Sequence, residues 1–353
     1  MEQAGCISFA RFMELALYCP VFGYYERESR VVGRGGDFFT SVSTGGLFGE
    51  LLAFQFAQWL EEYLPQDRIS MVEAGAHDGQ LAVDILTWLQ TNRPSLFERI
   101  NYCLIEPSSR RQAWQGQKLE KFAGQIRWVE SLAALAPEGV RGVIFSNELL
   151  DALPVHHVAW NARDRSWLEW GVAEDRGRFI WRRMTGRDWR NELLSAGFVL
   201  SAELESVLPD GFTIDLSLAA AKWWRDAASV LRQGWLVTSD YGLTADQLLV
   251  PERRNGTLRA FRDHRASLDL LANPGHQDLT AHVNFSHVQA AGESIGLKTQ
   301  NFSTQSQFLT RIAGQIWGQG VVPTPDEVRQ FQTLSHPEHL GRPFRVLVQS
   351  RDR

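Results

Sequence analysis

Met71-Val72-Glu73-Ala74-Gly75-Ala76-His77-Asp78-Gly79 decides the fold. An apolar run from Ile69 to Val72 passes through an acid into a turn flanked by two glycines. Directly behind it, Leu81, Ile85, Leu86 and Leu89 recur at helical spacing. Strand, glycine-bearing turn and helix in that order let a nucleotide approach a backbone with no Cβ in the way. The turn reads E-x-G-x-x-x-G and so departs from the dinucleotide fingerprint G-x-G-x-x-G. Asp78 would repel a pyrophosphate but would favour a ligand carrying a sulfonium and an ammonium. The charge therefore points to S-adenosylmethionine rather than NAD.

Working outward, further strand candidates are Tyr102–Ile105 ending at Glu106, Ile126–Val129, and Gly142–Ser146 ending at Asn147-Glu148. Another is Trp235–Thr238, ending at Ser239-Asp240-Tyr241-Gly242. Helical patterns over Gln80–Leu89 and Ser108–Phe122 separate the first pairs, which predicts a parallel sheet built by crossovers. Upstream, Ser8–Tyr18 reads as an amphipathic helix capped by Ser8, and a second helix runs from about Leu47 to Tyr63. Downstream, helices are expected near Leu218–Leu231 and Phe285–Ile295, and strands at Leu297–Phe302 and Phe344–Val348. Between the fourth strand and the helix at Leu218 the period changes to two. Val155–Val158, Trp167–Val172 and Arg178–Trp181 read as hairpins inserted into the α/β domain. Trp160, Trp167, Trp170 and Trp181 are either that insertion's own core or a cover for the active site.

Ligands of open parallel sheets bind beyond the carboxyl ends of the strands. Glu73, Glu106, Asn147 with Glu148, and Asp240 all fall there. Glu106 suits the two ribose hydroxyls, or is simply a helix-entry acid before Pro107 and Ser108. Glu148 and Asp151 stand at i and i+3, so a helical turn would put both carboxylates on one face. There they could orient a guanidinium or an amine, or merely complement a helix dipole. Gly36-Asp37-Phe38-Phe39-Thr40-Ser41 is either part of the donor site or a helix-entry loop. His264, His276 and His282 lack the pairing of a zinc site, and no metal is expected.

A net charge of −5 disfavours binding by phosphate neutralisation, hence no nucleic-acid partner. Cys6, Cys19 and Cys103 are scattered and read as thiols in a reducing compartment. No run approaches the roughly 18 apolar residues of a membrane span. Met1-Glu2-Gln3 opens without a basic presequence, so a cytoplasmic location is expected.

With these residues in place the chain resembles the MidA-type family of S-adenosylmethionine-dependent methyltransferases. The likeness runs through Leu15-Ala16-Leu17-Tyr18, Gly23-Tyr24-Tyr25, Gly36 to Ser41, Phe48-Gly49-Glu50 and the glycine turn. It continues through Glu106-Pro107-Ser108, Asn147 to Val155, Asp240-Tyr241-Gly242, Gly256-Thr257-Leu258 and Asp278 to Val283. Asn147-Glu148-x-x-Asp151-Ala152-Leu153-Pro154-Val155 is the most specific block. The resemblance implies an α/β class I methyltransferase fold, Rossmann-like, with a mostly parallel seven-stranded sheet. It places a helical segment over 1–65, the core over 66–154 and 210–353, and a β-rich lobe over 155–209 above the active site. It implies that Gly36, Asp37, Phe38, Thr40, Glu73, Gly75, Asp78, Gly79, Glu106, Pro107 and Ser108 serve the donor. Asn147, Glu148 and Asp151 would face the acceptor, with arginine on a protein favoured. Mitochondrial members are assembly factors that methylate a subunit of respiratory complex I, so a respiratory subunit is the implied partner, and a homodimer is compatible. Where the family carries Gly-Pro-Gly this chain has Gly75-Ala76-His77, and where it carries Pro-Glu this chain has Val42-Ser43. A scaffold that binds the donor without catalysis, and an NAD-dependent oxidoreductase, are the competing readings.

Overall fold

The computed structural model describes residues 5–27, 40–64, 68–262 and 265–352. The chain divides into two compact units. One comprises Met1–Arg30, Leu150–Trp224 and Gly242–Ala291; the other comprises Val31–Leu149, Arg225–Tyr241 and Gly292–Arg353.

The second unit is built on strands β1 (Ile69–Ala74), β2 (Ile100–Ile105), β3 (Ile126–Val129) and β4 (Val140–Asn147), followed by β5 (Leu231–Leu243), β6 (Lys298–Thr304) and β7 (Phe344–Arg351). Up to Tyr241, β5 lies in this unit. The strands run in the order β6-β7-β5-β4-β1-β2-β3. Pairing is parallel from β3 to β5, and β7 is antiparallel to both of its neighbours. The chain order thus reverses between β1 and β4, where Glu73 pairs with Phe145 and Ala74 with Ser146. Strands covered on both faces must be apolar throughout rather than alternating, which is why β1 through β4 read as continuous runs in the sequence.

Helices α1 (Leu47–Tyr63), α2 (Gln80–Asn92), α3 (Ser109–Lys118) and α4 (Gln305–Trp317) belong to this unit, as does a further helix, Pro325–Ser335. Leu51, Phe56, Ala57 and Leu60 of α1 are fully or almost fully buried, each Leu or Phe contributing about 2–3 kcal/mol. Phe56 meets Phe145 of β4 at a centroid distance of 5.2 Å, and Trp59 stacks on Trp235 of β5 at 5.2 Å and 13°.

The first unit holds a five-stranded antiparallel sheet in which Ser166–Asp175 pairs with His156–Asn161, Arg178–Arg183 and Cys6–Ser8. The expected hairpins are therefore present, each longer than its apolar stretch suggested. Trp160 and Trp167 lie 5.3 Å apart in a core with Trp189, Phe198, Phe212 and Ile214. They form the sheet's own core. The helix Phe9–Tyr18 starts where expected, with Ser8 Oγ accepting from Arg11 N at 3.1 Å.

Candidate active site

The carboxyl ends of β1, β2, β4 and β5 bring Glu73, Glu106, Asn147-Glu148 and Asp240 to one rim of the second unit's sheet. The reversal of strand order sits in the middle of that rim, the usual place for a nucleotide.

The turn after β1 takes its shape from left-handed backbone at Gly75 (φ +77), His77 (φ +47) and Gly79 (φ +85). A Cβ on Gly75 would stand 3.1 Å from Leu149 Cδ1, and one on Gly79 would stand 3.1 Å from Leu119 Cδ1. His77 is not glycine, yet it takes the left-handed shape that glycine adopts without steric cost.

Glu73 is buried, and its Oε2 accepts from the Tyr102 hydroxyl at 2.5 Å. Burial raises its pKa to about 7; the Tyr102 bond opposes that shift, and Asp78 and Asp84 add to it. Asp78 accepts from Gln80 N at 3.1 Å and from Lys118 Nζ at 2.5 Å. Burial alone would raise its pKa, but bonds and charge from His77 and Lys118 outweigh it and hold the carboxyl well below the usual range.

Glu106 accepts from Ser108 N at 3.0 Å through Oε1, and from Arg111 Nε and Gln115 Nε2, both at 3.1 Å, through Oε2. Gln115 also donates to His77 O at 3.0 Å and accepts from Trp128 Nε1 at 2.9 Å, fastening the turn to the end of β2. Pro107 is exposed, and Ser108 caps α3 by accepting from Arg111 N.

This arrangement corrects the charge argument drawn from the turn. Asp78 is answered by Lys118, Glu106 by Arg111, and Glu73 retains its proton up to about pH 7. The rim is acidic in composition but largely compensated in charge. A donor would be held by shape and hydrogen bonds more than by net attraction.

At the end of β4 the expected helical turn does not form. Glu148 has φ +53, and the following backbone N–H groups are claimed by β5. Glu148 N donates to Ser239 O at 2.9 Å, and Leu149 N donates to Asp240 Oδ2 at 3.0 Å. Neither the shared helical face nor a helix dipole therefore explains these acids. Glu148 is partly buried, and its Oε1 accepts from Ser41 N at 3.0 Å and Asn147 Nδ2 at 2.9 Å. Burial lifts its pKa to about 7 against those two bonds, with help from Asp240. Thr40 exchanges bonds with Ser43, its N donating to Ser43 Oγ at 2.9 Å, which shapes the turn carrying Ser41. Gly36, Asp37 and Phe38 lie outside the described residues.

Asp151 belongs to the first unit. Its carbonyl accepts from Ala281 N at 2.9 Å. Nearby, burial raises the pKa of Tyr25 well above the usual value, followed in effect by the charges of Asp278, Tyr18 and Asp151. His276 contacts Arg27 Nη1 at 2.6 Å, and burial with the charges of Arg253 and Arg259 lowers the His282 pKa to about 4. His264 lies outside the described residues.

The second unit's residues fit S-adenosylmethionine on their own chemistry. Gly75 and Gly79 keep side chains off the turn. Oε1 of Glu106 accepts from Ser108 N, and a carboxylate oxygen can take a second such bond. Asn147 Oδ1 is buried with no partner among the described residues, as an atom awaiting a ligand would be. Glu106→Gln is expected to weaken donor affinity about tenfold by isothermal titration; an unchanged Kd would show that this carboxylate serves its protein partners and not the donor. Sequence reasoning missed Arg111, Gln115 and Gln305, and named Ser41 only as the end of the Gly36–Ser41 stretch. Arg111 and Gln115 were legible, since i and i+4 on α3 share the face next to Glu106.

Residues 51–303 match the model of a family described as S-adenosyl-L-methionine-dependent methyltransferases. The mitochondrial protein arginine methyltransferase NDUFAF7 of Mus musculus is 28% identical, the match covering 98% of this chain and 81% of the relative. The mitochondrial homolog named likewise in Drosophila melanogaster is 26% identical, covering 98% and 82%. A crystal structure of a Burkholderia thailandensis protein bound to S-adenosyl-homocysteine superposes with a TM-score of 0.84 at 29% identity, covering 99% of this chain and 88% of that one.

Proposed function

Because the chain belongs to the family of S-adenosyl-L-methionine-dependent methyltransferases, we propose that its methyl acceptor is an arginine side chain of a protein. The family match decides for the methyl donor over a nicotinamide cofactor. Arginine is supported by the names of relatives that this chain covers over about four fifths of their length.

The observation that carries the chemistry is Glu148. Its carboxyl stands just past the end of β4 with Oε1 fixed by two donors, while Oε2 takes no hydrogen bond from the described residues. The donor supplies an electrophilic methyl group on sulfur. Transfer of that methyl to a guanidinium nitrogen would release S-adenosylhomocysteine and leave the nitrogen with one proton to give up. Glu148 takes it, and a pKa near 7 suits a group that must accept and release a proton at neutral pH. Asn147 holds the carboxyl through its Nδ2 and turns its own amide oxygen inward.

Methyl-labelled S-adenosylmethionine, the purified protein and lysate from cells lacking its gene make up the test. Label recovered as methylarginine after hydrolysis is the expected result; label on another amino acid overturns the arginine assignment. Donor binding with no labelled protein would favour the scaffold reading, for which the His77 and Val42-Ser43 departures speak. A respiratory-complex subunit as acceptor belongs to the same proposal, and the mass of the labelled band tests it. So does a cytoplasmic location: Cys6, Cys19 and Cys103 are free thiols, as in a reducing compartment. Cell fractionation decides between that and the mitochondrial location in the relatives' names.

A further inference from the structure

Glu148, not glycine, occupies a left-handed position, and such strain persists only where the surroundings impose it. Two partners do so. Ser239 O accepts from Glu148 N at 2.9 Å, and Ser41 N donates to Glu148 Oε1 at 3.0 Å. These serines come from distant parts of the sequence, yet both hydroxyls donate to one atom. Gln305 Oε1 accepts from Ser41 Oγ at 3.2 Å and from Ser239 Oγ at 3.0 Å. Its Nε2 donates to Leu334 O at 3.1 Å, so the orientation of the amide is fixed at both ends. Ser41 and Gln305 are wholly buried. Gln305 is the first residue of α4, whose start is set by a capping box between Thr304 and Gln307.

We propose that Gln305 is a positioning residue for Glu148: through the two serine hydroxyls it sets the N–H and the carbonyl between which Glu148 is suspended. The proposal rests on the reading of Glu148 as proton acceptor. A buried helix position that only filled space would be apolar, whereas an amide whose oxygen accepts twice and whose nitrogen donates specifies one arrangement of the groups around it. The groups acting on the Glu148 carboxyl are the Ser41 N–H and the Asn147 amide, which favour the charged form, and the Asp240 carboxyl, which disfavours it. Without Gln305 the Ser41 segment loses its tether and the carboxyl loses an N–H bond. Its affinity for a proton then rises.

The test uses the full chain with carbon-13-labelled glutamate carboxyls, the Glu148 resonance being identified by its absence in Glu148→Gln. In Gln305→Leu the Glu148 titration midpoint is expected to rise by ~0.5–1 pH unit. Affinity for S-adenosylhomocysteine should stay within about twofold. An unmoved midpoint in the folded variant overturns the proposal. Should Gln305→Leu fail to fold, Ser41→Ala combined with Ser239→Ala removes both hydroxyls that reach Gln305, and the same rise or its absence decides. If Glu148→Gln transferred methyl groups at the wild-type rate while the midpoint still moved, the proton-acceptor reading would fail and the positioning role would stand.

Discussion

Glu148→Gln lowers methyl transfer by about 100- to 10,000-fold, the usual worth of a positioned general base, and leaves S-adenosylhomocysteine affinity within about twofold. Glutamine is isosteric, and its amide oxygen can accept from Ser41 N and Asn147 Nδ2 just as Oε1 does. The local backbone, tied down through Ser239 O and Asp240 Oδ2, has no reason to move. What disappears is a group able to take a proton. The pH profile separates this from a packing effect. With the Glu148 pKa near 7, wild-type kcat/KM falls as pH drops through 7, because the protonated carboxyl can accept nothing. In the glutamine variant that limb is absent and the residual rate is flat across the same range. A variant that merely loosened the site would lose rate but keep the limb. Wild-type activity in Glu148→Gln would remove Glu148 from the chemistry altogether.

Much of this rim was legible in the chain itself, for a definite reason. The middle of a strand buried on both faces is mostly apolar, so the first acid in or just past each apolar run marks a carboxyl end. Glu73, Glu106 and Glu148 were found that way. Charge compensation was not legible. Lys118 reaches Asp78 from the far end of α3, and a sequence scan sees the acid beside the glycines but not the base brought to it by the fold. The turn after Asn147 misled for a similar reason. Its i, i+3 acids look helical, but Glu148 takes left-handed backbone, which no right-handed helical turn contains, and its neighbours on β5, Ser239 and Asp240, hold the chain in that shape. Helices Gln305–Trp317 and Pro325–Ser335 went unread, although Thr304 with Gln307 and Thr324 with Glu327 spell capping boxes at their starts. Missing α4 meant missing Gln305, whose partners Ser41 and Ser239 are joined to it only in the folded chain.

Glu73 is expected to produce the largest stability effect at the site. In the unfolded chain its carboxyl titrates near 4.5, and in the fold burial carries it to about 7. Between those values the native state holds a proton that the unfolded state has released, so stability falls as pH rises across this window and stays low above it. Moving from 4.5 to about 7 corresponds to roughly 3 kcal/mol. Glutamine cannot titrate, yet it offers Tyr102 the same acceptor. The stability of Glu73→Gln relative to wild type should therefore grow by about 3 kcal/mol between pH 4 and pH 8, as read from urea unfolding at each pH. A difference that stayed constant with pH would mean that Glu73 is ionised in the fold. The rim would then carry a net negative charge, and electrostatic attraction of a cationic donor would regain the weight that the compensated geometry takes from it.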